Sequence, residues 1–337
     1  MEKQLIISSS PHVRADANTG TIMRDVIIAL LPALLIGVWN FGPRALMLVV
    51  VSIVSCMGFE ALYQKIMKKN NTVSDMSAAV TGLLIAFNLS VAATWWMAVI
   101  ASFFAIVVIK QLFGGIGKNF VNPALAARAF LVSWVAIMTQ FPKPHIPMGE
   151  GGAFDFSGYA SMFGAIDVQT TATPLYYLKN VAANGMPAES IMDLFLGNVG
   201  GCIGEVSALM LILGGVYLVI RKVISPRIPL CYIGTVALFA LIFPRTGNNV
   251  ESMLMEVLSG GLLLGAIFMA TDYVTSPVTV KGQILFGVGC GLLTIFIRYF
   301  GGYPEGVSYS ILIMNLSVWL LDKYGAPRKF GEVATKQ

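Results

Sequence analysis

Long apolar runs, most of them about as long as a membrane-crossing helix, alternate along this chain with short polar breaks. A helix that crosses a bilayer needs about 20 mostly apolar residues. Ten stretches approach that length, centred on 24–41, 45–66, 76–93, 95–112, 122–139, 202–221, 229–244, 253–271, 283–300 and 306–322. The third and fifth are the least apolar, as broken or tilted spans are. One long polar interval, roughly 140–199, separates the fifth from the sixth. The expected fold is an all-α membrane protein of ten transmembrane helices. Five spans, a connection and five more suggest two five-helix repeats, and an odd number per half makes them inverted. A faint trace is the tetrapeptide Asn-Leu-Ser-Val, found at 88–91 and again at 315–318. The divisions are an N-terminal tail 1–20, a first half 21–139, a loop 140–199, a second half 200–323 and a C-terminal tail 324–337.

Composition supports this pattern. Of 337 residues, 56% are hydrophobic and 12% charged, against about a quarter charged in soluble domains. Residues 1–20 are polar and carry no cleavable secretory signal. The net charge of +5 does not point to nucleic acid, because the basic residues cluster in short runs beside apolar stretches. That is how loop ends at a membrane read. With the N-terminus inside, 17 of the 22 Lys and Arg fall inside; five, Arg44, Lys143, Lys179, Arg245 and Arg298, fall outside. The positive-inside rule then places both termini in the cytoplasm and 140–199 outside.

Cys56, Cys202, Cys231 and Cys290 are scattered among apolar neighbours without a CxxC pair. They read as small packing residues, and can hold an iron–sulfur cluster only if the fold gathers them. His12 and His145 are the only histidines, too few for bis-histidine haems or an all-protein zinc site. No metal site and no catalytic residue is expected.

Four stretches carry candidate chemistry. In GGIGKNFVNPALAAR, Gly114–Arg128, the amides of Asn119 and Asn122 suit a planar heterocycle, and Pro123 suits a first helical turn. A tight connection with asparagine as a cap reads equally well. No strand precedes the glycines, which excludes a dinucleotide loop. MATDYVTSPVT, Met269–Thr279, groups Thr271, Asp272, Thr275 and Ser276, as a site or as a capped turn. Glu60, Glu205, Glu256 and Asp272 lie within spans, where a carboxylate persists only with a partner or water. Glu60, Glu256 and Asp272 are the candidates for a cation path, although each also suits a structural pairing. Finally, DVQTTATPLYYLK, Asp167–Lys179, crowds three threonines into four positions. No base stands near to activate them as nucleophiles. Pro174 holds Thr173 away from helical geometry, which leaves its hydroxyl free as the acceptor of an enzyme-made ester, or as part of an ordinary loop.

Taken together, SSSPH at 8–12, GIGKNFVNPALAARAF at 115–130, the threonine motif and MATDYVTSP at 269–277 resemble the family of D subunits of Rnf ion-translocating electron-transport complexes. Their relatives are the B subunits of sodium-pumping NADH:quinone reductases. The resemblance covers nearly the whole chain. It implies a membrane flavoprotein subunit of a ferredoxin:NAD oxidoreductase in the bacterial inner membrane. A flavin transferase of such systems esterifies FMN to a threonine in Asp-x-x-Ser/Thr-Gly-Ala-Thr, so the acceptor maps to Thr173. Thr171 stands where glycine is usual, and Tyr273 where proline usually follows the aspartate. Lys179 is then a candidate partner for the phosphate. The resemblance also implies a non-covalent riboflavin near Asn119 and Asn122. The implied partners are a second covalent-flavin subunit, iron–sulfur subunits and either Na+ or H+, with ferredoxin and NAD bound elsewhere. The rival readings are a solute permease with a duplicated five-helix core and no cofactor, and a scaffold for other redox subunits.

Overall fold

The structure, a computed structural model, describes residues 18–134, 138–141, 172–179, 181, 185 and 189–325. Asp167, Thr170 and Thr171 of the threonine motif lie outside these residues. Among the described residues every regular element is helical.

The first half contains α1 (Thr19–Phe41), α2 (Pro43–Ile66), α3 (Ser77–Phe87), α4 (Trp95–Gln111) and α5 (Pro123–Leu131). Two short helices follow, α6 (Pro174–Lys179) and α7 (Ile191–Leu196). The second half contains α8 (Ala208–Ile220), α9 (Arg227–Ile242), α10 (Asn249–Leu258), α11 (Leu262–Met269), α12 (Val280–Phe300), α13 (Val307–Leu316) and α14 (Val318–Gly325).

Local sequence sets the ends of these helices. Asn18 and Thr21 form a capping box at the start of α1, which satisfies free N–H groups. Gly42, at φ +74, ends α1, and Pro43 begins α2 at once, so the two helices turn back within one residue. Thr279 caps α12 by accepting from the Gly282 N–H at 3.1 Å. The C-terminal part of α4, Phe104–Gln111, is a π-helix, as is Gly265–Met269 of α11. Such segments are uncommon and gather at functional sites.

Each of the ten apolar stretches overlaps at least one helix, but among the described residues α1, α2 and α12 are the helices long and apolar enough to cross a bilayer unaided. The pair α10 and α11 is bent by 62° at its break. The other stretches are interrupted for a visible reason. Helix α3 stops at Asn88, whose side-chain amide donates to the Leu84 carbonyl at 2.7 Å. The stretch beginning at residue 202 stays unwound until Ala208. These two unwound segments satisfy each other: the Ile203 N–H donates to the Leu89 carbonyl (3.0 Å) and the Gly204 N–H to that of Phe87 (3.1 Å). The approach is so close that a Cβ on Gly204 would overlap the Phe87 side chain. Buried Arg44 completes the arrangement, donating to the carbonyls of Val91 (2.9 Å) and Ala93 (3.1 Å). Irregular backbone at membrane depth is tolerable only when its polar groups are satisfied in this way.

Packing is similar in the two halves. Helix α2 packs on α3 and α4, and α9 on α10 and α12, while α1 lies against α8. Outward, Leu35, Val54, Ile66, Ile220, Leu230 and Phe300 are exposed. So many large apolar side chains on the exterior suit lipid rather than water.

Candidate functional site

Two cavities lie on either side of the breaks. The first, about 140 Å³, is lined by Thr173 together with Asn88, Arg128, Glu205, Glu305 and Ser308, and has Phe141, Tyr303 and Tyr309 in its walls. The second, about 100 Å³, is lined by Asn119, Asn122, Lys110, Thr271, Asp272 and Tyr273.

The first cavity gathers side chains from three breaks and a backbone N–H from a fourth. Arg128 of α5 donates to the Glu205 carboxylate (2.7 Å), the Glu305 carboxylate (2.8 Å) and the Asn88 amide oxygen (2.7 Å). Asn88 ends α3, Glu205 sits in the unwound entry to α8, and Glu305 precedes α13. Glu305 in turn accepts from the Gly261 N–H at the α10–α11 break. The guanidinium therefore holds together chain segments that lack helical hydrogen bonds of their own. Thr173 is half-buried, and its carbonyl accepts from the Tyr176 N–H at 2.9 Å at the start of α6.

The second cavity shows what the asparagines do. Asn122 is nearly fully buried. Its side-chain oxygen accepts from the N–H groups of Ala124 (3.0 Å) and Leu125 (3.3 Å), and its amide donates to the Met269 carbonyl (3.2 Å). It is a helix cap, as one reading of the sequence expects, and it also lines the second cavity. The Asn119 amide donates to the Val121 carbonyl (3.2 Å). Asn315, with its amide oxygen turned to accept from the Asn122 N–H (3.1 Å), donates to the carbonyls of Thr275 (3.0 Å) and Ile311 (3.2 Å). Both asparagines of the repeated tetrapeptide, Asn88 just after α3 and Asn315 in the last turn of α13, thus donate to a carbonyl four residues back. The Asn88 amide also reaches the Met269 sulfur at 3.8 Å. Contacts through Asn88, Met269 and Asn122 therefore join the two cavities.

The other expected site residues are spread apart. Glu60 accepts from Lys110 (3.0 Å) and Gln111 (2.8 Å), and Lys110 also donates to Ser77 (2.6 Å). Glu256 is paired with Arg298 at 2.9 Å and Arg245 at 3.2 Å. Asp272 lines the second cavity and accepts from the Thr275 hydroxyl at 3.2 Å. Lys179 donates to the Gly301 carbonyl at 2.6 Å. Burial, and then the nearby Arg245, hold the Lys179 ammonium below its usual range. The four cysteines are free, and three of them are buried. Among the described residues no cluster of His, Cys, Asp and Glu has a metal-holding arrangement.

Sequence reasoning missed Arg128, Glu305, Asn88 and Ser308. Arg128 had a signal, a lone cation inside an apolar stretch. Glu305, in YPEGVSY, reads as ordinary loop.

A family model described as the NQR2, RnfD, RnfE family matches residues 6–331. This chain belongs to that family. It is 48% identical to the D subunit of the Na(+)-translocating ferredoxin:NAD(+) oxidoreductase complex of Acetobacterium woodii, over 100% of this chain and 98% of the relative. It is 42% identical to the D subunit of the proton-translocating ferredoxin:NAD(+) oxidoreductase complex of Clostridium ljungdahlii, over 96% of each. It is 36% identical to the D subunit of the ion-translocating oxidoreductase complex of Escherichia coli K12, over 96% of this chain and 98% of the relative.

Proposed function

We propose that this chain is the membrane flavoprotein subunit of an Rnf-type ferredoxin:NAD oxidoreductase, relaying electrons through FMN esterified to Thr173 and coupling that flow to movement of Na+ or H+. The observation that carries the reading is the place of Thr173, half-buried against a cavity with aromatic walls in a chain nearly half identical to a subunit so named. A tethered flavin supplies one- or two-electron chemistry without dissociating. The chain's own residues shape the cavity, keep lipid from it and fix the surrounding breaks through Arg128. Asn119 and Asn122 would border a second, non-covalent riboflavin. Ferredoxin, NAD, the iron–sulfur centres and a second covalent flavin belong to partner subunits.

Ten spans in two inverted repeats, set in the bacterial inner membrane, complete the reading. One feature supports it: helices α2, α3 and α4 pack as α9, α10 and α12 do. The charge bias supports the orientation. Lys110, Arg128, Arg44 and Arg298 line the interior rather than loops. Without Lys110 and Arg128 the inner 17 become 15, and without Arg44 and Arg298 the outer five become three, so the bias sharpens.

The test is in-gel fluorescence and intact mass of the chain made with a flavin transferase. The denatured parent band should fluoresce and carry the mass of FMN, and Thr173→Ala should lose both while still inserting. Fluorescence that persists in the variant moves the ester elsewhere, with Thr170 and Thr171 next.

A further inference from the structure

The charged residues among the described lining of the first cavity are Arg128, Glu205 and Glu305. Two carboxylates share one guanidinium, at 2.7 and 2.8 Å, so with both ionised the cluster carries one surplus negative charge. The side chains are 13% (Arg128), 5% (Glu205) and 17% (Glu305) exposed. The other buried carboxylates differ. Glu60 is matched by Lys110, and Glu256 by both Arg298 and Arg245. Surplus charge away from water is costly, and a nearby positive charge relieves it far more effectively there than in solution.

A second, independent feature marks the same place. Ser308, 6% exposed, lines this cavity, and its buried hydroxyl has no hydrogen-bond partner. A buried hydroxyl without a partner is uncommon and calls for an occupant that satisfies it. The cavity, about 140 Å³, has room for a small cation with a few waters. The serine is not needed to hold the carboxylates, because Arg128 does that.

We propose that the cavity lined by Thr173 binds one monovalent cation, held by the carboxylates of Glu205 and Glu305 with the Ser308 hydroxyl as a neutral oxygen ligand, while Arg128 fixes the carboxylates in place. Sodium and a proton with its water supply the same single positive charge. The site serves the ion-translocating role given above, on which its purpose rests, and it shares its walls with the threonine that would carry the flavin. An electron arriving there adds negative charge beside the cation, and one leaving removes it, so occupancy follows the redox state by electrostatics alone.

The experiment is infrared difference spectroscopy on the whole complex in lipid nanodiscs. In one arm sodium chloride replaces choline chloride at constant ionic strength and pH. In the other the pH is stepped in choline chloride. The parent should give a saturable carboxylate response that Glu205→Gln and Glu305→Gln each remove and Glu251→Gln leaves. A response in the sodium arm identifies Na+, and one confined to the pH arm identifies H+. Ser308→Ala keeps both charges, and should weaken sodium affinity several-fold or displace the protonation midpoint. A response that survives in both glutamine variants, or one unchanged in Ser308→Ala, overturns the site. If the parent complex moves ions with each electron yet shows no such response, the site fails and the translocating role stands. If the response is present but no ion moves, the role fails and the site stands.

Discussion

At the scale of single residues, burial and pairing separate side chains that look alike in sequence. Asn122 is a cap first, and replacing a capping asparagine with an apolar residue costs about 1 kcal/mol. Asn122→Leu should lower the thermal midpoint of the purified chain and, together with Asn119→Leu, the riboflavin extracted per protein. Asn122→Ser should recover the midpoint, since serine also caps, while losing the bond to the Met269 carbonyl. Riboflavin content unchanged by the double leucine variant would leave both asparagines as structural. The ion-path candidates also divide. Glu256 faces buried Arg298 and half-buried Arg245, and removing one partner of a buried pair typically costs about 3–5 kcal/mol. Glu256→Gln should therefore act through stability, and Glu60→Gln likewise by stranding Lys110. Asp272, bonded to a threonine hydroxyl at the second cavity, has no such pairing to lose. Asp272→Asn should change the ions moved per electron at near-parental stability. Normal coupling in that variant would remove Asp272 from the path.

At the scale of elements, close helix contact and deliberate breaks decide the architecture. Helices α1 and α8 meet where a Cβ on Gly214 would overlap the Ala29 carbonyl oxygen. In a bilayer such contacts depend on small residues, because lipid offers no hydrophobic drive to pack helices together. Gly214→Val should separate α1 from α8, which would show as loss of a disulfide placed across that interface and as poor recovery of folded chain. Normal cross-linking in the variant would mean that the helices have room to adjust. The breaks are the other half of the design. The unwound segments near 87–93 and 200–207 bond to each other, and Arg44 bonds to the first, so carbonyls that leave helical geometry find other donors. A sequence scan can detect the polar or glycine residues at such breaks. It cannot see that two of them complete each other.

For the whole molecule, the apolar exterior suits a protein embedded in lipid, and the charge bias supports an orientation with both termini inside. Single cysteines near Gly158 should react with an impermeant thiol reagent in intact cells, and cysteines near Lys69 or Gln337 should not. The opposite pattern would invert the orientation and move Thr173 to the cytoplasmic side. The fold also sets a division of labour. Breaks converge on two cavities joined through Asn88, Met269 and Asn122, and the buried pair of Lys110 with Glu60 borders the second.

The sequence alone determined the broad class, because apolar run length, scarcity of charge and the placing of lysine and arginine are local quantities that a bilayer reads directly. It also singled out Thr173, Asn119, Asn122 and Asp272, since a proline, a glycine-rich interruption or a polar cluster within an oily chain shows without a fold. The tertiary structure decided which carboxylates are neutralised and which are not. Glu60 and Glu256 resemble Glu205 in sequence, yet only long-range packing brings Lys110, 50 residues away, to the first and Arg298, 42 residues away, to the second. It likewise brings Arg128 to Glu305 across 177 residues, leaving one negative charge over beside an unpaired serine. Charge balance in a membrane interior depends on neighbours in space, and no pattern along the chain encodes them.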